Sequence, residues 1–101
     1  MIFMYVPCQN IDTAKIIGKI LIEKSMAGKI DVIPIHSIYK VEGGVTMVPR
    51  VVMIIKTVDK HIQGIEDIIR EHQQDGVPCI ASITLYRLNR DFKDWLINAT
   101  S

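Results

Sequence analysis

The stretch from Ile30 to Thr57 reads IDVIPIHSIYKVE, then Gly43-Gly44, then VTMVPRVVMIIKT. β-Branched residues crowd both halves, helix formers are sparse, and a glycine pair divides them, which is the signature of a β-hairpin. Pro34 and Pro49 cannot donate to a ladder, so they are expected at edges or bulges within the two arms. At about 3.3 Å per residue each arm runs roughly 40 Å, whereas a chain of about this size has a radius of gyration of only about 13 Å. Part of the hairpin should therefore project beyond its own subunit. A projecting edge that carries Ile38, Val41, Val45 and Met47 invites pairing or aggregation unless a neighbour covers it.

Before the hairpin, Ile2 to Val6 is a dense apolar run that ends in Pro7-Cys8 and reads as a buried strand. Asn10 or Asp12 can cap a following helix. In that helix Ala14, Ile17, Leu21 and Met26 form the apolar side, Lys15, Lys19, Glu23 and Lys24 the polar one, and Gly28 suits its end. After the hairpin, Asp59 opens a second helix with Ile62, Ile65, Ile68 and Ile69 on one face, ending near Asp75-Gly76. Val77-Pro78 leads into a strand over Cys79 to Tyr86, and Asn89 caps a short last helix with Phe92, Trp95 and Leu96. Strand-helix-strand, hairpin, helix-strand is the α+β, ferredoxin-like β-α-β-β-α-β order, expected as one unit over residues 1–101. The fold hosts many unrelated activities, so function has to come from sites.

Composition narrows those activities. With 12 basic and 11 acidic residues the net charge is +1, which points to neither nucleic acid nor an anionic membrane as partner. Apolar residues make up 49% of the chain, a high share for so short a protein, and burial against identical subunits is the simplest outlet. No apolar run approaches the roughly 20 residues of a membrane span, and the opening Met1 to Val6 lacks the features of a signal peptide. Two cysteines do not make a disulfide framework, so a cytoplasmic setting is expected.

Several residues, in order, resemble the CutA divalent-cation tolerance family: the strand ending in Cys8 with its capped helix, Ser37-Ile38-Tyr39 with Glu42-Gly43, and Ile54-Ile55-Lys56-Thr57. His72, Val77-Pro78, Asn89 and Asp94-Trp95-Leu96 continue the likeness across essentially the whole chain. Departures mark a divergent member. Val41 stands where a tryptophan is usual, Gln73-Gln74-Asp75 replaces proline-tyrosine-glutamate after His72, and Cys79 replaces an acidic or amide residue. The resemblance implies a homotrimer of ferredoxin-like subunits with interlocked hairpins and a link to tolerance of copper and other divalent metals. It also implies an architecture like that of PII-type signalling trimers, which bind small effectors at clefts between subunits.

Three sets of residues could carry function. In the expected topology Cys8, His72 and Cys79 come to one end of the sheet, and two thiolates with an imidazole suit Cu(I) or Zn(II); the alternative has both cysteines as small core residues. Lys56, Asp75 and Arg87 could line an intersubunit effector cleft or simply be solvated charges. Ile38, Tyr39, Val41 and Trp95 are the candidate trimer contacts. His36 and His61 are expected to be surface residues. No phosphate-cradling loop, Cys-x-x-Cys hook or nucleophile-base-orienter set is present. The reading is thus a non-enzymatic, trimeric copper or divalent-cation tolerance protein, with metal binding that folding does not require and possible contact with a further protein. The alternative is a PII-like regulatory trimer. An acylphosphatase-type hydrolase needs a phosphate-binding loop with a paired arginine and asparagine, which this sequence lacks.

Overall fold

A computed structural model describes residues 1–73 and 76–101. Strand β1 (Ile2–Cys8) alternates strictly, with Ile2, Met4, Val6 and Cys8 buried on one face. Asn10 then accepts a hydrogen bond from the Thr13 N–H at 2.8 Å and starts helix α1 (Ile11–Glu23), resolving the choice of cap in its favour. Ala14, Ile17 and Leu21 are that helix's buried residues. The helix does not end on Gly28: Ser25 takes the positive φ of 55° and Met26 donates its N–H back to the Leu21 carbonyl. Gly28 serves packing instead, because a Cβ there would lie 2.5 Å from Leu96 Cδ1 and 3.1 Å from Trp95 Cζ3.

Strands β2 (Lys29–Val41) and β3 (Gly44–Thr57) form the hairpin in unbroken register from Lys29↔Lys56 to Val41↔Gly44. Glu42 and Gly43 are the two loop residues, and Gly43 has φ +88°. The prolines cause no bulge. Pro34 sits on the sheet's edge strand, and Pro49 lies past Val51, the last β3 residue that β1 pairs with, so neither leaves a neighbouring strand unsatisfied. The molecule measures 49 × 26 × 20 Å, and its radius of gyration of 14.5 Å exceeds that of a compact chain of this length, as a projecting arm requires.

After a 3₁₀ turn at Asp59–His61, helix α2 (Ile62–His72) buries Ile65 and Ile69 and ends earlier than the sequence reading placed it. Strand β4 is also shorter than expected, Ala81–Thr84, because it pairs only with Ile2 to Tyr5 of β1. Helix α3 (Arg90–Ala99) follows Asn89, whose amide donates to the Asp91 carboxylate rather than capping the backbone. The sheet order is β2-β3-β1-β4 with every neighbour antiparallel, which is the ferredoxin-like arrangement. The core lies between α1, α2 and one sheet face, where Met4, Val6, Met53 and Ile55 meet Ile17, Leu21, Ile65 and Ile69.

Candidate functional site

Strand parity sorts the polar residues before any chemistry does. Since Ile2, Met4, Val6 and Cys8 face the helices, Phe3, Tyr5 and Pro7 face the opposite side. The β1–β3 and β2–β3 registers carry that side onto Arg50, Ser37 and Tyr39. Cys79 precedes β4 and lines the same hollow as Pro7, the neighbour of Cys8. Cys8 and Cys79 therefore share an end of the sheet but not a face. Cys8 is fully buried, with its Sγ 3.9 Å from the Val6 carbonyl oxygen, whereas Cys79 is exposed. His72 is also exposed, and its Nδ1 lies 2.9 Å from the Ile68 carbonyl, so that nitrogen carries the proton. Among the described residues no group of three His, Cys, Asp or Glu is placed to hold a metal ion. The structure does not bring Cys8, His72 and Cys79 together as one site.

Within one subunit, Lys56 and Arg87 of the expected intersubunit effector set stand in different surroundings. Lys56 donates to the Asp31 carboxylate at 2.8 Å, and its Nζ lies 5.4 Å and 5.7 Å from the ring centroids of Phe3 and Phe92. This hydrogen bond holds the Asp31 carboxyl below its ordinary value of 3.8, against the smaller opposing effect of burial. Lys56 thus fastens β2 to β3 and to α3, as a structural cation. Arg87 lines a different hollow, with Met1, Tyr86 and Lys93. Asp75 lies outside the described residues. His61, expected in solvent, is half-buried and hydrogen-bonds through Nε2 to the Thr100 carbonyl at 2.8 Å, which ties the end of α3 to the turn before α2.

The candidate contacts fall into two kinds. Ile38 is 66% exposed and Val41 is exposed too, both on the projecting arm. Trp95 is half exposed but packs within the subunit, 5.3 Å from Phe92 between ring centroids and against Gly28. Tyr39 is exposed as well, and it also lines a cleft. Its ring centroid lies 6.0 Å from the Arg50 guanidinium carbon. Together with Pro7, Ser37, Gln73 and Gly76 to Cys79, these two residues line a cavity of about 460 Å³.

Each element contributes to that cleft for a local reason. The end of β1 brings Pro7, the hairpin register places Ser37, Tyr39 and Arg50 on one face, and short β4 leaves Gly76 to Ile80 free to run past as an open wall. Gly76 turns the chain there at φ +105°. Gln73 follows α2 in extended conformation, its N–H bonded to the Ile69 carbonyl. Only 9% of Gln73 is exposed, and among the described residues its Nε2 has no hydrogen-bond partner. The sequence reading missed Ser37, Arg50 and Gln73. The two-residue turn predicts that Ser37, Tyr39 and Arg50 share a face, whereas nothing local announces that a glutamine after a helix is buried.

A sequence-family profile described as CutA1 divalent ion tolerance protein matches residues 2–99. The divalent-cation tolerance protein CutA of Archaeoglobus fulgidus is 29% identical over 94 residues, covering 93% of this chain and 92% of that protein. A solved structure, described as the periplasmic divalent cation tolerance protein CutA from Archaeoglobus fulgidus, superposes with a TM-score of 0.93 at 27% identity, covering all of both chains. The CutA1 structure from Pyrococcus horikoshii gives a TM-score of 0.92 at 26% identity, covering 100% of this chain and 99% of that one.

Proposed function

This chain belongs to the CutA1 divalent ion tolerance protein family, and from that premise we propose that it acts as a non-enzymatic homotrimer that binds copper or another divalent cation in the cytoplasm. The observation that carries the reading is the family match across residues 2–99. The arm supports assembly. Ile38, Val45 and Met47, the last two each 72% exposed, lie where the subunit's own helices do not reach. Isolated exposed apolar residues need no explanation, but a contiguous set on a projecting edge does.

The donor set does not fit a resident metal cofactor, because Cys8 is sealed in the core and no three-donor group forms among the described residues. The cation is therefore cargo, met by accessible groups such as the Cys79 thiol and the exposed His72 imidazole, and folding does not depend on it. The cytoplasmic assignment rests on a thiol left exposed at Cys79, which an oxidising compartment would modify. Cell fractionation tests it, and recovery outside the cytoplasm sinks it.

Sedimentation and titration with Cu(I), Cu(II) and Zn(II) test the main reading. The expected result is a trimer that binds soft metal, with binding weakened in a Cys79→Ser, His72→Ala variant. A wild-type protein that is a folded monomer at about micromolar concentration contradicts the assembly; absence of any metal binding contradicts the cargo role. A second reading, a PII-like regulatory trimer that binds a small effector, is favoured by the cleft around Tyr39, Arg50 and Gln73.

A further inference from the structure

Helix α1 keeps a glycine where its own packing does not ask for one. Gly18 sits in the helix interior, where glycine costs about 1 kcal/mol against alanine. A Cβ there meets only Ile30 Cδ1, at 3.5 Å, an ordinary contact, so alanine fits without strain. At Gly28, by contrast, a methyl collides with Leu96. A residue that breaks a local rule without a packing reason marks a place where the fold leaves room for something else.

The room is a groove of about 250 Å³ between α1 and β2, the edge strand of the sheet. Ala14 and Gly18 form its helix wall and Ile30 and Val32 its sheet wall, with Ile22, 44% exposed, toward the last turn of α1. Its only charged lining residues are Lys15 and Lys19, and none is acidic. Lys15 makes no ion pair among the described residues, and Lys19 meets Glu23 at 3.8 Å in a well-exposed, weak contact. Such lysines lay their alkyl stems along apolar surface and keep the ammonium in water. Ile30 and Val32 pair with Ile55 and Met53, which β1 also pairs with, so the groove lies on the body of the subunit and not on the projecting arm.

We propose that this groove binds a free single-chain aliphatic carboxylate, its methylene chain between α1 and β2 and its charged group at Lys15 and Lys19. An apolar slot with a cationic rim and no acid is complementary to an anion with an apolar tail in both shape and charge. A metal cation finds no ligand here, and the groove shares no residue with the cleft around Tyr39, so the site is separate from both readings of function above.

Methyl NMR of the full chain, titrated with octanoate below its micelle-forming concentration, reads both place and affinity. The methyls of Ala14, Ile22, Ile30 and Val32 shift saturably. From hexanoate through octanoate to decanoate, each methylene that is buried tightens binding about fourfold until the groove is full. Octylammonium, the same chain with the opposite charge, binds about tenfold more weakly, because attraction to two lysines becomes repulsion. Gly18→Ala melts higher yet binds octanoate about fourfold more weakly, since its methyl takes the space of one methylene. Lys15→Gln, an exposed change that leaves melting unaltered, lowers octanoate affinity and narrows the gap to octylammonium. That second variant keeps the test open should Gly18→Ala not fold. Sedimentation of the same samples shows the wild-type assembly unchanged by octanoate.

Equal affinity for octanoate and octylammonium, indifference to chain length, shifts confined to other methyls, or no binding at all overturns the proposal. So does a Gly18→Ala protein with unchanged octanoate affinity. Octanoate that dissociates the assembly assigns the groove to contact between copies of the chain and overturns it as well. Binding to anionic phospholipid vesicles without binding of free octanoate assigns it to a membrane surface, with the same consequence.

Discussion

Replacing Ile38 with aspartate separates the arm's part in assembly from its part in the subunit. Ile38 pairs across the hairpin with Met47, and the two are 66% and 72% exposed. Both lie beyond Val51, where pairing with β1 ends. Within one subunit an aspartate at this position stays in water, so the fold should change by no more than about 0.5 kcal/mol. In the trimer the arithmetic differs. Full burial of an isoleucine side chain contributes about 1.5–3 kcal/mol, and about two-thirds of that is still unrealised in the single subunit, leaving about 1–2 kcal/mol. Three copies make about 3–6 kcal/mol per trimer, before the added penalty of drawing a carboxylate out of water. The association constant should fall by at least about a hundredfold. Sedimentation equilibrium over a dilution series, with circular dichroism on the same samples, reads both quantities. The expected result is a wild-type trimer and a folded Ile38→Asp subunit that dissociates. A variant that stays as trimeric as the wild type would refute the arm's role. One that unfolds instead would show that the subunit core is insufficient without its neighbours.

Two further outcomes follow from the packing. Gly28→Ala pushes a methyl into buried Leu96 and into Trp95, with the Gly28 N–H anchored on the Lys56 carbonyl, so overpacking should cost about 1–3 kcal/mol. Gly64→Ala meets only the flexible end of Met26 and gains helix propensity in α2, so it should stabilise by up to about 1 kcal/mol. Urea midpoints of the two variants test the contrast, which fails if both shift in the same direction. At Asp31 the hydrogen bond from Lys56 lowers the folded pKa, so the unfolded chain takes up the proton first as pH falls. That stabilisation is complete above the unfolded value of about 3.9 and disappears as pH drops through the folded one. The stability gap between wild type and Asp31→Asn should close over that acid range, and a gap that widens there contradicts the assignment.

The β-α-β-β-α-β order was readable because its signals are local. Alternation marks β1, the Asn10 cap and the Ala14, Ile17 and Leu21 spacing mark α1, and the Gly43 turn joins two β-branched runs. The projecting arm was readable from strand length alone. Element ends were less so: α2 stops at His72 and β4 spans only Ala81–Thr84, because each ends where its tertiary partner does.

The site was harder for a specific reason. Cys8 and Cys79 were placed correctly at one end of the sheet, yet one sulfur is in the core and the other in solvent. The alternation of β1 turns Cys8 inward, whereas Cys79 lies in the stretch before β4, outside the β1–β4 pairing, and its exposure depends on how that stretch runs past the sheet. Lys56 and Gln73 follow the same logic. Sequence identifies a lysine and an amide, but only the arrival of Asp31, Phe3 and Phe92 makes Lys56 a clamp, and only the packing after α2 buries Gln73. Periodicity and turn chemistry act over a few residues and so determine the elements and their order. Register, burial and the meeting of side chains depend on contacts between distant segments, and those came into being only with the assembled sheet.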